Sequence, residues 1–172
     1  MGAKVIEMLP IGILVLMLGF AVYTDIRFGK IYNKLTLPCM ALGILLGAVS
    51  NGWMGFLSSI GGILIILIPF LLFAPAAGIG GGDVKLMMAV GALLGYKAAV
   101  WAVLISAVVG GALAVITVLI YREFLNTTKN VFLSAVLKAP MVLAGGSKGL
   151  KVRYSPAIAI GTILTIIYQF GR

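Results

Sequence analysis

Two aspartates are the residues of this chain whose type and placement could do chemistry. Among 172 residues, Asp25 and Asp83 are the only aspartates, and each lies at the edge of a long apolar stretch. A carboxylate at membrane depth is energetically costly, so such residues usually have a function. Two carboxyl groups held close together share a proton, so that one can activate a water while the other donates to a substrate carbonyl. The pair therefore predicts aspartic hydrolysis, with Asp25 and Asp83 as catalytic residues.

A structural role for these aspartates is the alternative. On a helix, a neutralising cation would lie three or four residues away, and those positions hold no basic residue around either aspartate. Arg27 and Lys85 lie two residues beyond Asp25 and Asp83, away from the same helical face. Asp83 could also cap a helix N-terminus, a role that aspartate fills well. Both interpretations stay open at this point.

The composition predicts an all-α, polytopic membrane helical bundle. Hydrophobic residues make up 62% of the chain and charged residues 10%, far from the usual mix of a soluble domain. We expect one membrane-embedded domain over residues 1–172, with about six transmembrane helices. The predicted spans are residues 8–24, 35–49, 54–74, 78–95, 98–121 and 156–170, each close to the length a bilayer requires. The fourth is long enough only if the glycine-rich stretch from Gly78 is counted, so we expect it to be broken by glycine.

The basic residues predict an orientation rather than a nucleic-acid partner. The net charge is +9, but the cations lie between apolar segments without an aromatic-lined basic face, so we expect anionic lipids as their partners and no nucleic acid. Of 13 basic residues, ten follow predicted helices one, three and five. The positive-inside rule places those connections in the cytoplasm and both chain termini outside. Asp25 and Asp83 then both lie near the cytoplasmic membrane surface.

The remaining chemistry-bearing residue types predict neither a metal nor a cofactor. The chain has no histidine and one cysteine, Cys39, inside an apolar run, so it lacks the ligand pattern of a zinc site. The long connection over residues 122–155 contains an amphipathic stretch at 131–137, which could lie on the membrane. We favour the simpler interpretation, a surface helix that only spans the gap between two membrane helices.

Two short motifs resemble those of a known family. Residues 80–86, Gly-Gly-Gly-Asp-Val-Lys-Leu, resemble the GxGDxKL signature of type IV prepilin peptidases, which are GxGD intramembrane aspartic proteases. Residues 25–27, Asp-Ile-Arg, followed by Ile-Tyr-Asn at 31–33, resemble that family's first-aspartate motif, with Tyr32 in place of a proline. Residues 154–157, Tyr-Ser-Pro-Ala, form a looser third point before the last helix, where Ser155 is expected as the N-cap.

The resemblance implies an inner-membrane endopeptidase that removes a short basic leader from prepilin-like precursors at the cytoplasmic membrane boundary. It implies Asp25 and Asp83 as the catalytic dyad. Gly80 and Gly82 would let the Asp83 backbone adapt or admit an extended substrate. Arg27, Asn33 and Lys85 are expected to support the site by holding loops or lipid phosphates.

The size of the chain and its motifs indicate which members of the family it resembles. Prepilin peptidases that also methylate the new N-terminus have an N-terminal extension with paired CxxC motifs, and no such motif occurs in this sequence. The chain is similar instead to the short, peptidase-only members of tight-adherence (Flp) pilus systems. We therefore expect peptidase activity without methyl transfer.

Two other functions stay open. Glycine-broken helices that contain an acid also form substrate sites in transporters, so a small ion- or proton-coupled transporter with Asp83 in a broken helix is the first alternative. Against it, no inverted repeat is visible and both acids lie near one predicted surface. The second alternative is an inactive assembly partner in a pilus machine, in which both aspartates would be dispensable.

Overall fold

The computed structural model describes residues 2–77, 80–120 and 154–170, and these residues form four helices. They are α1 (Gly2–Phe28), α2 (Asn33–Ala77), α3 (Gly81–Ile120) and α4 (Ser155–Phe170). The all-α class is confirmed for this part of the chain. The predicted amphipathic segment at 131–137 lies outside the described residues.

Helix α2 is interrupted at Asn51 and Gly52, where the backbone leaves helical geometry. Gly52 has a φ of 58°, a left-handed conformation that glycine adopts without steric cost. The chain reverses direction at this break. A hydrogen bond across it shows the reversal, since the Ser59 hydroxyl donates to the Gly43 carbonyl at 3.3 Å. The two arms of α2 therefore form a helical hairpin.

Helix α3 is interrupted in the same way at Gly95, whose φ is 77°. Asp83 and Gly110 lie on opposite sides of this break, and in a straight helix about 40 Å would separate them. Tyr154 nevertheless lies near both residues. Its ring is 3.4 Å from the Cβ position of Gly110, and the charge of Asp83 helps to raise the pKa of its phenol. The two arms of α3 therefore also fold back on each other.

The breaks relate these four helices to the six predicted segments. Predicted spans two and three are the arms of α2, and spans four and five are the arms of α3, because each break interrupts helical geometry at only one or two residues. The fourth segment begins at Gly81 rather than at Gly78. Among the described residues, three helices, α1 to α3, are long and apolar enough to cross a membrane. Six crossings stay a prediction.

The core is formed by apolar side chains from all four helices. The buried residues include Leu14, Met17 and Leu18 of α1, Ile66 of α2, Leu86, Met87 and Val90 of α3, and Ile158 of α4. Many large apolar side chains remain exposed on the outside, as expected where lipid replaces water. The packed side chains thus hold the ends of α1, α3 and α4 in fixed relation.

Close glycine contacts join α2 to α3. A Cβ atom at Gly62 would meet the Gly91 carbonyl, and a Cβ at Gly91 would meet Gly62 in turn. Small residues at such contacts let two membrane helices approach closely. The α2–α3 interface therefore depends on the absence of side chains at these two positions.

We expect Gly62→Ala to lower the free energy of unfolding by about 1–3 kcal/mol, the usual cost of overpacking. Gly61→Ala is the matched control, because its Cβ would meet only the Tyr96 Cβ at 3.4 Å, an ordinary contact. Both changes replace glycine with alanine within a helix, so they raise the intrinsic helix propensity by the same amount. Unfolding by SDS in mixed micelles, followed by tryptophan fluorescence, measures the difference. Equal stability of the two variants would contradict the close α2–α3 contact.

Candidate active site

Asp25 lies in the last turn of α1 because a glycine ends the helix four residues later. Gly29 has a φ of 64°, and its N–H donates to the Asp25 carbonyl at 2.8 Å, which is the usual way a helix ends at glycine. The Asp25 side chain points inward and is only 7% exposed. A buried carboxyl group thus ends the first helix, as the sequence predicts.

Asp83 lies in the first turn of α3, directly after the glycines. The Gly80 carbonyl accepts hydrogen bonds from the N–H groups of Asp83 and Val84 at 3.0 and 3.3 Å, so Gly80 caps the helix and Asp83 is its third residue. The proposed N-cap role of Asp83 is therefore wrong. An acid in the first turn does interact favourably with the helix dipole, by about 0.3–1 kcal/mol. Asp83 thus has a modest structural role whatever its chemistry.

Gly82 brings the beginning of α3 against the connection that follows α1. A Cβ atom at Gly82 would lie 3.1 Å from the Ile31 Cβ and 3.5 Å from the Ile31 carbonyl oxygen. Gly81 has open space at the same position. The absence of a side chain at Gly82 therefore lets the segment after Asp25 pack directly on the turn that holds Asp83.

The residue before α4 and the first residue of α4 interact with the two aspartates. The Ser155 hydroxyl donates a 2.6 Å hydrogen bond to Asp25 Oδ2. Burial and the negative charge of Asp83 raise the pKa of the Tyr154 phenol. Because Tyr154 and Ser155 are consecutive, with Cα atoms about 3.8 Å apart, the two aspartates flank the same end of α4.

Of the supporting side chains predicted from the sequence, Lys85 and Asn33 contact each other, whereas Arg27 is exposed. Lys85 Nζ donates a 3.0 Å hydrogen bond to Asn33 Oδ1 and so joins the first turns of α3 and α2. Arg27 is exposed in the last turn of α1. Gly80 and Gly82 shape the turn before Asp83, as described above.

Sequence reasoning missed the contribution of Tyr154 and Ser155 to this site. Local capping rules predict Ser155 as the cap of α4. The Tyr154 carbonyl instead accepts a hydrogen bond from the Ile158 N–H at 3.0 Å, so that Tyr154 is the cap. The Ser155 hydroxyl is thereby available to Asp25, a residue 130 positions away. The only signal in the sequence was the loose third motif, which indicated the region but not the contact.

A cavity of about 500 Å³ lies at the other end of the bundle. It is lined by residues near both helix breaks, including Asn51 and Gly95, and by Pro10 and Ile11 of α1. Among the side chains that the structure describes, no carboxylate lines it. The two aspartates therefore lie away from this cavity.

Several curated proteins are similar to this chain. The prepilin leader peptidase/N-methyltransferase of Bacillus subtilis is 27% identical over 167 residues, which cover 95% of this chain and 57% of that protein. The prepilin peptidase EppA of Methanothermobacter thermautotrophicus is 37% identical over 98 residues, or 54% of this chain and 25% of the relative. A prepilin leader peptidase/N-methyltransferase of Burkholderia pseudomallei matches at 37% over 98 residues, or 54% and 32%.

The chain thus spans between a quarter and three fifths of the length of these relatives. No solved structure shows significant similarity to it. A family model described as the type IV leader peptidase family matches residues 12–115, more than half of the chain. That match includes Asp25 and Asp83, the two residues that flank the beginning of α4. This chain belongs to the type IV leader peptidase family.

Proposed function

We propose that this chain is a membrane-embedded aspartic endopeptidase that removes the leader of prepilin-like precursors. The observation that carries the proposal is that consecutive residues at the start of α4 lie close to the two aspartates. The Ser155 hydroxyl donates a hydrogen bond to Asp25, and Tyr154 lies near enough to Asp83 for that charge to raise the pKa of its phenol. Two acids held at one end of a bundle can share a proton and a water. Family membership supports the choice of a leader peptide as substrate.

The reaction uses the two carboxyl groups in complementary roles. One takes a proton from water as the water oxygen attacks the scissile carbonyl carbon, and the other donates a proton to the carbonyl oxygen. Collapse of the tetrahedral intermediate breaks the C–N bond, and the leaving amine takes up a proton. The products are a leader with a new carboxylate and a mature protein with a new amino terminus.

The position of the dyad supports a substrate that is cut at the membrane boundary. Asp25 ends α1 and Asp83 begins α3, so both acids lie at helix ends rather than in the middle of a span. A precursor with a short basic leader followed by an apolar helix would present its peptide bond at that level. We propose that this end faces the cytoplasm, that both termini lie outside, and that anionic lipids bind the surrounding basic residues.

Within the family, we propose the peptidase-only role of the tight-adherence (Flp) type, with residues 1–172 acting as one peptidase unit. A proton-coupled transporter is the alternative. The position of the acids argues against it, because transporter sites lie near the bilayer midplane. The peptidase therefore explains the site better.

Reconstitution in liposomes with a panel of prepilin precursors tests the proposal. We expect one cut between the basic leader and the apolar helix, identified by the intact mass of both products. A pH-sensitive dye inside the same liposomes reports proton movement in parallel. Precursors that all remain uncut would overturn the peptidase proposal, and proton uptake without cleavage would favour the transporter.

A further inference from the structure

The hydrogen bond between Ser155 and Asp25 is short and joins two buried side chains. Ser155 is fully buried and Asp25 is nearly so. The donor–acceptor distance of 2.6 Å lies at the short end of the range for O–H···O hydrogen bonds, about 2.5–3.0 Å. The contact therefore restricts the orientation of the Asp25 carboxyl group.

The packing of α4 holds the donor in place. A Cβ atom at Gly161 would meet Ser106 of α3, and the Tyr154 ring lies 3.4 Å from the Cβ position of Gly110. Helix α4 is therefore pressed against the second arm of α3 at both places. Because Ser155 is the first residue of this anchored helix, its hydroxyl is delivered to Asp25 from a rigid element.

We infer that Ser155 is a positioning residue for the reaction, which holds the Asp25 carboxyl group in the orientation that activates water. The inference rests on the proposed function. A carboxylate has two oxygens, and Ser155 engages Oδ2, which also restricts the direction in which Oδ1 points. The family match ends at residue 115 and does not include Ser155.

A purely structural tie between α1 and α4 is the alternative role of this contact. The two roles differ in what a loss of the hydroxyl changes. A tie would lower stability and leave the turnover of the folded enzyme unchanged. A positioning residue lowers kcat with little effect on KM, because the interaction matters during the chemical step rather than in substrate binding.

Kinetic constants of purified variants in liposomes distinguish these roles, with a prepilin precursor that the wild-type chain cleaves as the probe. We expect Ser155→Ala to lower kcat about tenfold to a hundredfold, as a misplaced catalytic group does, with KM within about twofold. Ser155→Thr keeps the hydroxyl and is expected to retain activity. Thr165→Ala is the matched control, because that buried hydroxyl of α4 donates only to the Gly161 carbonyl of its own helix, at 2.8 Å.

Carbon-13 NMR provides a second readout that does not depend on turnover. Aspartate labelled at the carboxyl carbon gives two protein signals, since the chain has only Asp25 and Asp83. The signal that remains in Asp83→Asn belongs to Asp25. We expect Ser155→Ala to shift the Asp25 signal, and Thr165→Ala to leave it in place.

The outcomes distinguish failure of the proposed function from failure of the positioning role alone. A wild-type chain that cleaves no precursor overturns the proposed function, and the positioning role with it. Cleavage by the wild type with an unchanged kcat in Ser155→Ala overturns the positioning role alone. An unshifted Asp25 signal in Ser155→Ala also overturns it, even if kcat falls.

Discussion

Replacing Asp25 or Asp83 with asparagine is expected to lower the rate of leader removal by about 10²- to 10⁴-fold, the usual contribution of a general acid or base. Asparagine has nearly the same shape as aspartate, but its amide cannot take a proton from water or donate one to the substrate carbonyl. Because the two carboxyl groups act as a unit, the double variant should be little slower than either single variant.

Co-expression of each variant with a prepilin precursor, followed by the shortening of the precursor over time, measures this effect. Glu7→Gln is the matched control, because it makes the same carboxyl-to-amide change at the other end of α1. Asp83→Asn should lower the unfolding free energy by about 1 kcal/mol through the loss of its helix-dipole interaction. Wild-type rates in either aspartate variant would show that the dyad mechanism is wrong.

Replacing Gly82 with valine is expected to reduce cleavage about a hundredfold, although residue 82 supplies no reacting group. Its Cβ position already lies 3.1 Å from the Ile31 Cβ, so the larger side chain must push the first turn of α3 away from the connection after α1. Asp83 moves with that turn. A displacement of about 1 Å at a catalytic group is enough for a loss of this size.

Gly81→Val is the matched control for this change, since the Cβ position of Gly81 meets no atom within 4 Å. Both substitutions place a β-branched residue in the same helical turn, so their cost in helix propensity is the same. Single-turnover cleavage by the two purified proteins gives the comparison. Similar losses in both variants would mean that the glycines matter for backbone freedom and not for the contact with Ile31.

Much of the fold follows from the order of residues along the chain. Apolar runs separated by polar or glycine-containing turns predict six helical segments, and both internal breaks occur at such turns, at Gly52 and Gly95. The sequence does not predict that each break is confined to one or two residues. That outcome depends on tertiary contacts, such as the pairing of Gly43 with Ser59, which fold the arms against each other.

The candidate site was predictable where local sequence determines it. The isolation of Asp25 and Asp83 among apolar residues identifies both, and Gly29 and Gly80 place them at helix ends. The hydrogen bond from Ser155 was not predictable, because it joins residues 130 positions apart and local capping rules assign that hydroxyl to its own helix.

The separation of the two aspartyl carboxyl carbons tests the central claim most directly. Because Asp25 and Asp83 are the only aspartates, labelling aspartate at the carboxyl carbon places two carbon-13 labels in the protein, and solid-state NMR in liposomes can measure the distance between them. We predict a dipolar coupling that corresponds to less than about 6 Å, the range over which charged groups perturb each other strongly. Labels without measurable coupling would contradict a shared hydrolytic site.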